Sequence, residues 1–335
     1  MPKLAGVVPP IGTPVSSQDR VDEGGLRRLT RYLLEAGVHG ILANGTMGGF
    51  AFLTDEEQIR AVSIVVSETN GVVPVMGGIG ETSTSRAVKK AKEIASEGVT
   101  HLTVLAPYYF LATQDNLYAY FSEVAAAVDL PIFLYDNPVL TKNNILPETV
   151  LRLREDVPNI IGIKESNQDC VNLQRLIELN GGDEFSILTG SEFLIVVGLR
   201  MGCDGFVGGL HNLCPHIAVA LYNAYKKGDI NAAMGFQREL EATWQLFRYG
   251  NIWGAFDEAL RYLGIADRAT GAPYVSQLTS DEVRKVHSIL DQRVKPYLPV
   301  MTLWKQGWKT SGDHDSEQKD GRASHLRQKT PISHK

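Results

Sequence analysis

Short apolar runs alternate with longer amphipathic segments eight times between residues 5 and 227, and this alternation limits the chain to few folds. The apolar runs lie at 5–14, 40–44, 73–76, 101–106, 131–135, 160–164, 185–189 and 205–207. Near-continuous apolar runs of this length suit strands buried on both faces, as in a parallel sheet. The segments between them, such as 26–36, 82–96, 114–127, 170–179 and 216–227, carry apolar residues at helical spacing, and Gly37 and Gly98 stand where helices end. Thr54 with Glu57 three residues on has the pattern of a capping box, and Pro147 suits a first helical turn.

Eight strand–helix units without a hairpin signal predict an α/β fold, a (β/α)₈ TIM barrel over residues 1–228. A doubly wound open sheet is the alternative. Its nucleotide-binding glycine pattern is incomplete here, because Gly77-Gly-Ile-Gly-Glu-Thr82 lacks the third glycine. Three further amphipathic segments, near 231–247, 253–263 and 280–297, predict appended C-terminal helices within 229–304. Residues 305–335 are polar, with few apolar anchors, and are expected to be a disordered tail.

Composition narrows the function. With 33 basic against 38 acidic residues and a net charge of −5, the chain shows no basic excess for nucleic acid or anionic membrane. No run approaches the ~18 apolar residues of a membrane span. The N-terminus lacks a basic segment followed by an apolar core, so a cytoplasmic protein is expected. Cys170, Cys203 and Cys214 are far apart, and no histidine has metal-ligand spacing with another His, Cys or carboxylate, so no disulfide framework and no metal are expected.

In such a barrel the chemistry belongs at the C-terminal ends of the strands. That rule selects the loop Gly45-Thr-Met-Gly-Gly49, Tyr109, Tyr135, Lys164, Gly190 and Val207. Ile160-Ile-Gly-Ile-Lys-Glu165 carries Lys164 in an apolar strand. A buried ammonium is costly, whereas a Schiff-base nucleophile must be a free amine; the plainer reading is a strand-end lysine paired with Glu165 or a nearby carboxylate. The glycine loop can aim backbone N–H groups and the Thr46 hydroxyl at a carboxylate, or it is an ordinary tight turn. Tyr135 and Tyr109 suit a proton relay, or packing with a satisfied hydroxyl.

Taken together and in order, Gly-Thr-x-Gly after strand two, Leu53-Thr-x-x-Glu57, Tyr-Tyr109 after strand four, Tyr135-x-x-Pro138 and Gly162-Ile-Lys-Glu165 resemble the dihydrodipicolinate synthase/N-acetylneuraminate lyase family, from about residue 7 to residue 297. The resemblance implies class I aldolase chemistry with no cofactor beyond a covalent imine, in a homotetramer built as a dimer of dimers. By resemblance, Lys164 forms the imine with pyruvate or another 2-oxo acid and Tyr135 is the general acid/base. Gly45, Thr46 and Met47 form the carboxylate loop, Gly190 and Val207 offer carbonyls, and Tyr109 joins a relay across a subunit interface.

Five positions depart from the family pattern, among them Asp136 and Asn137, where Tyr-Asn-x-Pro is common. Met47 stands where a second threonine is common, Gly49 where a glutamate is common, and Leu140 where dihydrodipicolinate synthases carry the arginine that binds the aldehyde carboxylate. The expectation is therefore a Schiff-base lyase joining or splitting pyruvate and an aldehyde, other than a true dihydrodipicolinate synthase. The alternatives are a dehydratase or decarboxylase of a 2-oxo-3-deoxy sugar acid acting through the same imine, and a non-catalytic 2-oxo-acid sensor.

Overall fold

The computed structural model describes residues 3–298 except 181 and 183. Its eight strands are β1 (Gly6–Val7), β2 (Ile41–Ala43), β3 (Val75–Ile79), β4 (His101–Leu105), β5 (Ile132–Asp136), β6 (Ile160–Glu165), β7 (Ser186–Thr189) and β8 (Gly205–Phe206). All neighbours are parallel, in the order β1-β8-β7-β6-β5-β4-β3-β2. The seam between β1 and β2 is joined by residues just after β1. Leu42 N–H donates to the Pro9 carbonyl and Ile11 N–H to the Leu42 carbonyl, both at 2.9 Å, around a parallel bridge between Pro10 and Leu42. The result is the expected (β/α)₈ barrel.

Helices Glu23–Glu35, Asp55–Thr69, Thr84–Ser96, Gln114–Ala126, Pro147–Asp156, Cys170–Asn180, Ile195–Met201 and Pro215–Lys226 follow the successive strands. A further short helix, Pro138–Thr141, follows β5 and was too brief to show a sequence period. The capping box is only half formed. Thr54 Oγ1 accepts from Glu57 N–H, but the buried Glu57 carboxylate instead accepts from Val21 N–H at 2.5 Å and pairs with Arg20 at 2.6 Å. A backbone donor and a cation on the preceding loop outbid the reciprocal cap. The C-terminal helices are Ile230–Trp244, Ile252–Tyr262 and Ser280–Ile289, the last running on through a π turn, Leu290–Val294. The segment 305–335, expected to be a disordered tail, lies outside the described residues.

Strand alternation fills the barrel in layers. Leu4, Val8, Leu42, Met76, Phe133, Leu188 and Val207 form one buried apolar cluster. Phe133 on β5 pairs in register with Gly162 on β6, and a Cβ at Gly162 would collide with the Phe133 ring. One inward step further, Tyr135 pairs with Lys164. A glycine thus makes room for the aromatic floor on which the lysine–tyrosine pair stands.

Candidate active site

Lys164 is 4% exposed, and its Nζ lies 3.9 Å from the centre of the Tyr135 ring. Asn137 Nδ2 donates to the Tyr135 hydroxyl at 3.1 Å, and Thr46 Oγ1 lies 3.2 Å from the same oxygen. Burial pushes the phenol up. The positive charge of Lys164, with hydrogen bonds from Thr46, Lys164 and Asn137, outweighs burial and holds the group below its ordinary value. A phenol placed in this way can give up and recover a proton beside an amine.

The loop that carries Thr46 is held from behind. Asn44 takes a left-handed backbone (φ 57°), and its Nδ2 donates to the Gly78 carbonyl at 2.9 Å and to Gln58 Oε1 at 3.2 Å. Gly49 has φ +70°, and a Cβ there would collide with the Phe52 ring. The glycine at this position therefore has a steric reason: Phe52 occupies the space a side chain would need. Phe52 meets Trp253 edge-on at 5.6 Å and Tyr274 at 6.1 Å, which ties the loop to the C-terminal extension.

A cavity of about 270 Å³ opens at the C-terminal ends of the strands. It brings together Thr46, Met47, Tyr135, Lys164, Gly190 and Val207, with the half-exposed Leu140 also lining it. Gly45 falls outside this cavity and borders a narrow crevice on the far side of Thr46 and Tyr135. Tyr109 is not brought to the cavity within one chain. It is 83% exposed, at φ 82°, edge-on to the exposed Phe110.

Sequence reasoning missed several lining residues. Glu192 lies two residues beyond Gly190, and an acid that close to a strand end was the available signal. Its Oε1 accepts from Leu210 N–H at 2.5 Å. Burial raises its pKa against the opposing hydrogen bonds from Leu210 and Trp244 and the charge of Lys164. Phe247 and Ile252 reach the cavity from the extension, with no local signal at all. A larger hollow of about 470 Å³ lies at the opposite ends of β6 and β7, beside Ile160 and Ser186. Its cations are already engaged, Lys3 with Asp204 at 2.8 Å and Arg154 with the Asn180 carbonyl at 2.9 Å.

Behind the Tyr135–Lys164 pair, the next residues along the strands, Asp136 and Glu165, also pair in register and are 1% and 2% exposed. Asp136 Oδ1 accepts from Ile145 N–H at 3.0 Å while its buried Oδ2 has no hydrogen-bond partner among the described residues, and Glu165 Oε1 accepts from Asn167 N–H at 2.8 Å. Burial, with the charge of Glu165 adding at Asp136 and that of Asp169 at Glu165, raises each carboxyl to about 7. In the unfolded chain they titrate near about 3.9 and 4.3. Between those values and about 7 the folded state holds the protons that the unfolded state has lost, so their contribution makes stability fall as pH rises through that window. The melting temperature should decline from pH 5 to pH 8, and Asp136→Asn should flatten that decline; an unchanged slope in the variant would contradict the assignment.

Among the described residues, no cluster of three or more His, Cys, Asp or Glu side chains could hold a metal ion. None of their helices is long and apolar enough to cross a membrane.

Comparison with known proteins gives a consistent result. The Dihydrodipicolinate synthetase family profile matches residues 3–293. The chain is 36% identical to a 4-hydroxy-tetrahydrodipicolinate synthase of Methanopyrus kandleri, over 71% of this chain and 79% of that one. It is equally identical, 36%, to an uncharacterised DapA-like lyase of Halobacterium salinarum, over 70% of this chain and 76% of the relative. Among solved structures, YagE of E. coli K12, a prophage protein of the dihydrodipicolinic acid synthase family crystallised with pyruvate, superposes with a TM-score of 0.81 at 28% identity, covering 86% of this chain and 98% of that chain. The 4-hydroxy-tetrahydrodipicolinate synthase of Methylacidiphilum fumariolicum gives 0.82 at 30%, over 88% and 97%.

Proposed function

The chain belongs to the dihydrodipicolinate synthetase family of pyruvate-dependent lyases, and on that premise we propose that it makes or breaks a carbon–carbon bond through an imine between Lys164 and pyruvate. The observation that carries this reading is the Lys164 amine resting against Tyr135, whose hydroxyl meets both Thr46 and Asn137. The amine adds to the ketone carbon of pyruvate, and Tyr135 supplies the proton with which the carbinolamine loses water. The Thr46 hydroxyl and the Met47 backbone N–H hold the carboxylate, and the carbonyls of Gly190 and Val207 border the substrate. The iminium then acts as an electron sink: a proton passes from the adjacent methyl group to the Tyr135 phenolate left by the loss of water, giving an enamine, which bonds to an aldehyde carbon. The reverse path cleaves that bond. No metal or other cofactor takes part.

The exposed Tyr109, Phe110 and Leu111 support a homotetramer in which Tyr109 completes the relay of a second copy. Leu140 in place of a cation supports an activity other than 4-hydroxy-tetrahydrodipicolinate synthesis, and a cytoplasmic enzyme fits the absence of a membrane-spanning helix among the described residues. Glu192 favours a second reading. A carboxyl whose pKa is raised beside the cavity can protonate a departing hydroxyl, which is what a dehydratase acting through the same imine requires. Product analysis separates the two, since only the aldolase releases pyruvate plus an aldehyde.

Borohydride reduction in the presence of pyruvate tests the shared first step. One pyruvyl adduct per chain is expected, mapping to Lys164 by peptide mass. No adduct, or one on another lysine, refutes the imine reading.

A further inference from the structure

From the charge and polarity of the cavity wall, and resting on the Lys164-imine reading above, we infer that the carbonyl partner of pyruvate is an uncharged aldehyde with an apolar alkyl or aryl body. Among the described residues lining the cavity, Lys164 is the one cationic side chain. The imine engages that cation, and its charge is matched by pyruvate's own carboxylate. A second carboxylate, on the aldehyde, would enter with no cation to meet it and with Glu192 on the same wall. A carboxylate that enters the cavity gives up part of its hydration with no cation to replace it.

Uncharged polar side chains, Asn137, Ser166 and Gln168, also line the cavity, but its outer wall is apolar. Leu140 and Val139 come from the short helix after β5, and Phe247 and Ile252 from the C-terminal extension. Val139, Leu140 and Ile252 are 60%, 59% and 42% exposed, so apolar area is left open to a ligand. Met47 adds a flexible thioether packed over Gly209, where a Cβ would lie 2.7 Å from Met47 Cγ and displace it. Covering this apolar surface is favourable, so an alkyl or aryl group gains where a carboxylate loses hydration. In the reaction, the enamine carbon bonds to the aldehyde carbon. The C=O π pair moves to oxygen, which takes the Tyr135 proton. Water then hydrolyses the imine, releasing a 4-hydroxy-2-oxo acid and the free lysine.

The test is the full chain with pyruvate and four aldehydes, benzaldehyde, hexanal, succinic semialdehyde and glyceraldehyde, comparing kcat/KM and product mass. Benzaldehyde and hexanal should exceed the other two by about tenfold or more, a difference of roughly 1.4 kcal/mol. Leu140→Arg should narrow the gap to succinic semialdehyde. Borohydride trapping of pyruvate runs alongside. Normal trapping on Lys164 with equal or reversed preference, or with neither apolar aldehyde accepted, overturns this inference and leaves the imine reading standing. Loss of trapping overturns both.

Discussion

Replacing Lys164 with alanine is expected to abolish pyruvate-dependent turnover, lowering kcat/KM by on the order of 10³-fold or more. The size follows from the role. Without the amine there is no imine, no electron sink and no route to the enamine, so the variant loses the covalent pathway rather than one contact along it. Binding would change less, because the Thr46 hydroxyl and the Met47 backbone remain. The fold should persist, since the floor under the lysine is the Phe133–Gly162 pair and not the lysine itself. Steady-state kinetics together with circular dichroism provide the check. A folded Lys164→Ala variant with activity near that of the unaltered protein would remove Lys164 from the mechanism.

Tyr135→Phe should cost about 10²- to 10⁴-fold in kcat, the usual worth of a positioned acid or base. The ring would still lie against Lys164, so the loss isolates the hydroxyl and its links to Thr46 and Asn137. The pH profile makes the assignment specific. The phenol is held below its ordinary value because the charge of Lys164 and three hydrogen bonds overcome burial, so the alkaline limb of kcat/KM should begin below about pH 10. In Tyr135→Phe that limb should vanish. A limb that stays in place belongs to another group.

The barrel was legible because a parallel strand must be apolar on both faces and a covering helix on one, and both periods are visible in the chain. Lys164, Tyr135 and Thr46 could be nominated because they end strands, and the barrel gathers strand ends. What the sequence hid has equally physical causes. Phe247 and Ile252 reach the cavity through the packing of the extension, which no local pattern encodes. The capping-box pattern at Thr54 and Glu57 concealed a competition that a buried carboxylate settled in favour of Val21 and Arg20. Glu192 precedes the helix Ile195–Met201, and its place in the cavity depends on the backbone of Leu210, which follows β8. Tyr109 was correctly read as following a strand, but its outward, left-handed placement rests on backbone geometry that a tyrosine does not advertise.

The Phe52–Trp253–Tyr274 contact bears on how such a protein can change over generations. One stretch of chain, the extension, both braces the loop that presents Thr46 and supplies Phe247 and Ile252 to the cavity wall. Selectivity and rigidity are therefore inherited as a package. A substitution in the extension that remodels its part of the cavity wall also bears on the loop that carries Thr46, whereas Leu140 and Val139 line the cavity from the short helix after β5, apart from that brace.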